Sequence, residues 1–489
     1  MKRDIGRLKR EYFDILIIGG GINGCAIARD AALRGAKAGL IEKDDFASGA
    51  SGKTTKLIHG GIRYLEQFNF KLVYEALAER SILLRTAPHL VRPLEFIIPA
   101  YKHDPRPLFK IKAGVFIYDL LAGKDNIRCH RSLKKDELIQ LERNISSQNL
   151  KGGVIYCDAQ MDDIRLSLDN AVSACRAGAS GANKVEATGF IKENGKIAGA
   201  SARDKLTGEG FAIRAKVVVN ATGAWSNGLV KMDEPLAPPI TRPTKGTHIV
   251  YRKLPHSRAI LLSAHKDKRV FFVIPWRGLT LIGTTDTDYS GPCDEVYATS
   301  GEVEYLLEEA RRVFPNEIID NSGIITTYAA LRPLVNIQGR LPWQVSREHL
   351  VKISDSGLIS VVGGKYTTYR HLAEEVTDTA LSKLNGRNFK RCVTAESGPS
   401  LPVGEEKMDL RKLIERAVKD EMANTLVDLL VRRLELARTP SLGLDRLEEC
   451  AHIMAELLGW SAAQEEYEMR LYKEETRKNL RFAAPRGII

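Results

Sequence analysis

The chain has 489 residues, 44% of them hydrophobic, which is enough for two or three domains and a sizeable buried core. A formal charge of +12 favours an anionic partner, whether a phosphorylated metabolite, an acidic lipid surface or nucleic acid, and charge by itself does not choose among these. Seven cysteines are scattered without a Cys-x-x-Cys pair, which argues for reduced thiols in a cytoplasmic compartment and against a zinc or iron–sulfur site.

The opening MKRDIGRLKREYFDILIIGGG starts basic, but its apolar run is short and leads straight into glycines, so it reads as a strand and not as a signal peptide. Phe13–Ile18 (FDILII) predicts a buried parallel strand, Asn23–Arg34 a helix stopped by Gly35, and Ala38–Glu42 (AGLIE) a second strand, together a β-α-β unit. Between strand and helix, Gly19-Gly20-Gly21-Ile22-Asn23-Gly24 has the G-x-G-x-x-G spacing. Gly19 permits the tight turn, Gly21 lets the backbone approach a pyrophosphate, and Gly24 allows close packing of helix on strand. Glu42, about 20 residues on, is the acid expected to hold the ribose hydroxyls of a dinucleotide. This motif leaves FAD and NAD both open.

Lys53–Leu65 (KTTKLIHGGIRYL) then crowds cations, a histidine and a tyrosine around a Gly-Gly pair. Residues 106–124 can form an amphipathic helix, with Leu108, Ile111, Val115 and Phe116 facing a lipid interface beside Lys110 and Lys112, or an ordinary surface helix. Further strands are predicted at Lys216–Asn220, Val270–Ile274, Leu279–Gly283 and Leu358–Val362, with a helix over Gly301–Phe314. The alternation indicates an α/β core with inserted sheet-rich material. Lys407 to Leu480 keeps a helical period and reads as a helical C-terminal domain. The strand running into Ala221-Thr222-Gly223 resembles a turn that brings backbone close to the cofactor in many flavoproteins with two dinucleotide folds, and the Gly363-Gly364-Lys365 turn offers backbone amides and one cation. No uncharged apolar run is long enough to span a bilayer, so membrane contact would be peripheral. Bases are interspersed with acids and no nucleic-acid module is recognisable, which sets nucleic acid aside.

Seven blocks occur in order: IIGGGINGCAIARDAALRG, KLIHGGIRYLE, NATGAW, KGTHIV, IGTTDTDY, LRPL and GGKYTTYR. Together, over residues 12–375, they closely resemble the FAD-dependent glycerol-3-phosphate dehydrogenases of the aerobic, quinone-reducing type. A glycerol-3-phosphate oxidase passing electrons to O2, and an amine or amino-acid oxidase of the same superfamily, are the alternatives.

The resemblance implies an α/β fold: a Rossmann-like FAD-binding domain of the glutathione-reductase type, an inserted α+β substrate-capping domain and a helical C-terminal domain. The FAD-binding domain is assigned residues 1–85, 151–225 and 326–390, a capping and membrane-facing insertion 86–150, the capping domain 226–325 and the helical domain 391–489. FAD is the implied cofactor, glycerol 3-phosphate the substrate, and a membrane quinone and an anionic lipid surface the partners. The implied protein is cytoplasmic, held at the inner face of the cell membrane, with a homodimer as the assembly considered.

A phosphate dianion and a secondary alcohol call for several cations and one proton acceptor. By resemblance Arg63, Tyr64, His248, Arg332, Arg347 and Lys365 line the substrate site. His248 is the first candidate for general base, and Arg332 the alternative catalytic group, stabilising the alkoxide. Ser51, Lys56, Leu57, Gly223, Gly364, Lys365 and Thr367 join the glycine motif as candidate flavin contacts. His59 is as ready to pack as to titrate, Cys25 reads as a small buried helix residue, and Asp286 with Asp288 lacks further ligands for a metal, so IGTTDTDY reads as a strand and turn of the substrate domain that can support the site from behind.

Overall fold

In the computed structural model, residues 1–336, 349–384, 386, 388–399 and 408–483 are described. A first sheet of eight strands has a parallel centre. The strand Tyr12–Ile18 pairs in parallel with Ala38–Ile41 on one side and Gly210–Asn220 on the other, and the latter pairs in parallel with Ile359–Gly363. All residues of the first strand after Tyr12 are buried, as a near-continuous apolar run requires when helices or hairpins cover both faces. The helices Ile22–Leu33, Asp163–Arg176 and Tyr369–Leu381 pack on one face, sharing a core with Ile15, Ile17, Val217 and Val361. An antiparallel hairpin, Val185–Glu193 with Lys196–Asp204, covers the other.

A second, ten-stranded and largely antiparallel sheet runs from Thr287–Asp288 through Thr241–Tyr251, Leu279–Gly283, Val270–Trp276, Ala259–Ser263, Val91–Tyr101 and Leu150–Met161 to Leu57–Ile58. The long strand Ile324–Val335 pairs with Thr241–Tyr251, setting Arg332 opposite Thr244 and Tyr328 opposite His248. The chain therefore crosses between the sheets repeatedly. Strands Leu150–Met161 and Ile324–Val335 belong to the second sheet, although the sequence division assigns most of each to the FAD-binding domain.

Observed elements lie within a few residues of those expected, the helix Ser300–Val313 and strand Leu279–Gly283 among them. A short helix at Ile5–Arg10 was not foreseen. The C-terminal region is helical, with Leu410–Glu421, Leu447–Leu458 and Ala462–Asn479 around a separate core that includes Ile414, Leu429, Met454 and Tyr472. It is joined to the first sheet by buried charge. Asp45, just beyond Glu42, accepts hydrogen bonds from Arg433 at 2.8 and 2.9 Å and from Asn183 at 2.9 Å.

The helix expected near 106–124 forms over Leu108–Ala122, but its faces differ from the sequence assignment. Ile111 and Val115 point into the core with Tyr118, and Leu108 is half-buried; the outward apolar residues are Phe109, Phe116 and Leu120. This helix packs against Phe70–Thr86, which exposes Phe70 and Tyr74 beside Phe68. Among the described residues no helix is long and apolar enough to cross a membrane, no disulfide forms, and no cluster of His, Cys, Asp or Glu is arranged to hold a metal ion.

Candidate active site

The first strand ends in a turn that only glycines can make. Gly19 has φ +114°, and a β-carbon on it would lie 2.6 Å from the carbonyl oxygen of Ala221; on Gly24 it would lie 1.9 Å from that of Gly19. Helix and strand therefore meet without side chains between them, and the helix begins at Ile22 with Gly21 at its N-cap. Ser51 Oγ accepts from the Ile22 amide at 2.9 Å. Glu42 accepts from the amides of Gly20 at 2.6 Å and Asp44 at 2.8 Å, while burial raises its carboxyl above the ordinary carboxylate range. Both bonds go to backbone, so the acid is fixed at the strand end with oxygen lone pairs to spare.

A continuous cavity of about 520 Å³ runs from this turn across to the second sheet. Gly19, Gly21, Glu42 and Ser51 line one end; Leu57, Gly223, Gly364 and Thr367 lie along it; Arg63, Tyr64, His248, Arg332 and Lys365 line the other. Side-chain-free glycines at a helix N-terminus, an acid one strand away and a long groove leading from them fit a dinucleotide.

At the far end, cations converge. Lys365 Nζ sits 4.0 Å and the Arg63 guanidinium 5.0 Å from the ring centroid of Tyr64, and Arg63 Nη2 donates to the Tyr64 hydroxyl at 3.2 Å. Arg332 donates to Asp286 Oδ1 at 3.1 Å, Thr284 Oγ1 at 2.9 Å and the Thr285 carbonyl at 3.1 Å. Asp286 thus orients an arginine and does not pair with Asp288, which binds Arg242 instead.

His248 is 2% exposed and stacks on Tyr328 with ring centroids 5.0 Å apart. Its Nε2 lies 2.9 Å from Thr55 Oγ1, and its buried Nδ1 has no hydrogen-bond partner among the described residues. Burial, then the charges of Arg332, Lys56 and Arg438, push this imidazole well below its ordinary value of 6.5, so it is neutral at physiological pH.

Two expected cofactor contacts do not line the cavity. Gly24 serves only the helix–strand approach. Lys56, with φ +62°, turns to the opposite side from Thr55 and Leu57 and pairs with buried Asp163, between the rings of Trp276 and Tyr328. Arg347 lies outside the described residues. His59 lines the cavity, with its amide hydrogen-bonded to Thr367 Oγ1 at 3.2 Å.

Sequence reasoning missed several contributors. Gly246 and Gly283 face the two key side chains: a β-carbon at Gly246 would meet Arg332 Nη2 at 2.2 Å, and one at Gly283 would meet His248 Cδ2 at 2.3 Å. Glycines inside strands were the available signal. Lys53 also lines the cavity, and burial lowers its pKa. Thr55 acts through a contact between distant segments, whereas Thr284 and Asp286, in the segment expected to support the site from behind, hold Arg332.

With this geometry in hand, comparison with known proteins is specific. Residues 14–370 match the family described as FAD dependent oxidoreductase, and residues 365–465 match the C-terminal domain of alpha-glycerophosphate oxidase. A glycerol-3-phosphate dehydrogenase of Synechocystis sp. is 36% identical, covering 98% of each chain. The mitochondrial glycerol-3-phosphate dehydrogenase of Mus musculus is 38% identical over 80% of this chain, which spans about half (55%) of that relative's length. The crystal structure of the glycerol-3-phosphate dehydrogenase from Bacillus halodurans, complexed with FAD, superimposes with a TM-score of 0.81 at 28% identity over 98% of both chains. The chain belongs to the FAD-dependent oxidoreductases, within the glycerol-3-phosphate dehydrogenase family.

Proposed function

We propose that this enzyme oxidises sn-glycerol 3-phosphate to dihydroxyacetone phosphate and passes the electrons to a membrane quinone. The observation that carries the reading is one cavity joining the glycine turn at Gly19–Gly24 to a cluster of Arg63, Arg332, Lys365 and a neutral His248. FAD, when bound, supplies the hydride acceptor. Gly19, Gly21, Glu42 and Ser51 would hold its dinucleotide end, with Leu57, Gly223, Gly364 and Thr367 along its length.

Arg63 and Lys365 take the substrate phosphate, Arg63 by its planar fork and Lys365 as a point charge, with Tyr64 fixing both. A neutral imidazole can accept the hydroxyl proton. Nδ1 is buried, so the hydroxyl would reach the ring at Nε2, in place of Thr55. The arriving dianion raises the proton affinity of His248 and opposes the cations that depress it, so the base strengthens as substrate binds. Arg332, locked by Thr284 and Asp286, stabilises negative charge growing on the substrate oxygen.

Phe68, Phe70, Tyr74, Phe109, Phe116 and Leu120 are exposed on adjoining elements, flanked by Lys71 and Lys112. Aromatic side chains beside lysines suit an anionic lipid interface, where a quinone would be met. A cytoplasmic protein held peripherally at the membrane accords with that face. The FAD-binding unit comprises the strands of the first sheet and their helices, the substrate unit the second sheet, and the C-terminal helices a third body.

Anaerobic bleaching of the flavin absorbance by glycerol 3-phosphate, with glycerol and an amino-acid mixture as controls, tests the substrate. Bleaching by the phosphate ester alone is expected; bleaching by amino acids alone would overturn it. Reoxidation by a soluble quinone faster than by air distinguishes the dehydrogenase from an oxidase.

A further inference from the structure

Among the contacts by which the C-terminal helical region reaches the active-site wall, one is made by a buried arginine. Arg438, in the short turn Leu436–Arg438, is 7% exposed. Its guanidinium lies 4.9 Å over the ring of Tyr328, and that ring stacks on His248 at 5.0 Å and 21°. Guanidinium, phenol and imidazole are thus linked in series from the C-terminal region to the proposed base. The same guanidinium braces the loop on the other side of the imidazole. Arg438 Nη2 donates to the Gly52 carbonyl at 2.6 Å; three residues on, Thr55 holds His248 Nε2, while the Tyr328 hydroxyl donates to the Thr54 carbonyl at 2.8 Å.

We propose that Arg438 is a positioning residue of the active site: through it the C-terminal domain fixes the Tyr328–His248 stack and keeps a positive charge behind it. The consequence for rate rests on the reading of His248 as base; the effect on the imidazole itself does not.

Three cations face His248 from three segments: Arg332 from the paired strand, Lys56 from the Lys53–Leu65 loop and Arg438 from the C-terminal region. Each has its carboxylate, Asp286 for Arg332, Asp163 for Lys56 and Glu435 for Arg438 at 2.9 Å, and Glu435 also accepts from Arg277 at 3.1 Å. Burial acts in the same direction as the three cations. Arg438, like Lys56, lies beyond the cavity lining, so it can be altered without removing a group that touches substrate.

The experiment uses the flavin-loaded full chain labelled with 13C-histidine, the His248 resonance being assigned by its loss in His248→Asn. In Arg438→Gln the pH at which this resonance begins to move should rise by about half a unit to one unit, the effect of removing one charge no more than about 10 Å away at intermediate dielectric. Arg438→Lys, which keeps the charge, should stay near wild type in that shift. It should nonetheless slow flavin bleaching, because it loses the fork that reaches Gly52 and Glu435 together. Glu435→Gln, which keeps the arginine and removes its carboxylate, should move the resonance in the opposite direction and keeps the test available if Arg438→Gln does not fold. An unmoved resonance in Arg438→Gln, or an upward shift in Glu435→Gln, would overturn the inference. A resonance that moves while the pH profile of bleaching stays put supports the coupling and removes His248 from the role of base.

Discussion

Gly246→Ala separates the position of Arg332 from its presence. The glycine sits in the strand Thr241–Tyr251 directly against the guanidinium, where a β-carbon would meet Nη2 at 2.2 Å and Cζ at 2.5 Å, although such contacts essentially never fall below 3.0 Å. The guanidinium must therefore move by roughly 1 Å, and its hydrogen bonds to Asp286, Thr284 and Thr285 at 2.9–3.1 Å cannot all survive that displacement. Backbone strain is not the obstacle, since φ at Gly246 lies outside the left-handed region. Misplacing one donor to developing negative charge typically costs about 10²–10³ in rate, so kcat/KM for glycerol 3-phosphate should fall about 100-fold, or ~2.7 kcal/mol. Stopped-flow bleaching under anaerobic conditions measures the step, and the ratio of flavin to protein absorbance confirms that cofactor is retained. A fall confined to kcat would place the arginine on the reacting oxygen, whereas a rise in KM alone would place it on the phosphate. A variant that retains flavin and keeps kcat/KM within about twofold would refute the assignment of Arg332 to the reaction, since the geometry leaves the guanidinium no way to stay where it is.

Gly24→Ala should yield a folded but colourless protein, because a β-carbon 1.9 Å from the Gly19 carbonyl forces the helix off the turn; flavin content after gel filtration is the measurement. Asp45→Asn should lower stability by about 3–5 kcal/mol in chemical denaturation, since it strips a buried carboxylate from Arg433 and Arg432. Burial raises the Asp45 carboxyl, but the two arginines outweigh it and hold it well below the usual range, so the contribution is complete above the unfolded value of about 3.9 and disappears only as pH falls through the depressed folded value. The gap between wild type and Asp45→Asn should therefore be constant at neutral pH and close only in strong acid. The double variant Phe116→Glu/Leu120→Glu should abolish sedimentation with anionic vesicles and leave bleaching by glycerol 3-phosphate intact; unchanged sedimentation would remove this face from the membrane reading.

The parts of the site that were legible in the sequence are those held together by local chain geometry. Gly19, Gly21, Gly24 and Glu42 lie within one β-α-β unit, so their spacing along the chain fixes their spacing in space. The cationic end has no such local determinant. His248 and Arg332 share a wall because two strands about 80 residues apart pair in one register, and a slip of one strand by one residue would turn its side chain to the other face and part the two. Resemblance supplied those residues, whereas spacing could not. The side chain of Lys56 leaves the cavity for a local reason: its left-handed φ of +62° turns it away, and Thr55 and Leu57 take the cavity side. The helix Leu108–Ala122 is apolar on more than one face, so its sequence could not say which face the core would claim. Packing chose Ile111, Val115 and Tyr118, and left Phe109, Phe116 and Leu120 outside.

Arg438 marks the limit of a sequence reading most clearly, since RRLELART has the pattern of any charged helical tail. Only tertiary packing reveals that one of its arginines is buried against Tyr328 and bonded to the loop that carries Thr55. That placement also bears on why the enzyme keeps a helical body outside its two sheets. Desolvating an arginine and Glu435 beside an already cationic cavity is unfavourable unless the geometry is tightly held, and here the carbonyl of Gly52, Glu435 and the face of Tyr328 together hold it. A C-terminal domain that merely added stability could have met this wall with apolar side chains of the same volume at no electrostatic cost. That a buried cation stands there instead, one ring away from the imidazole, is what ties the domain to the chemistry of the site.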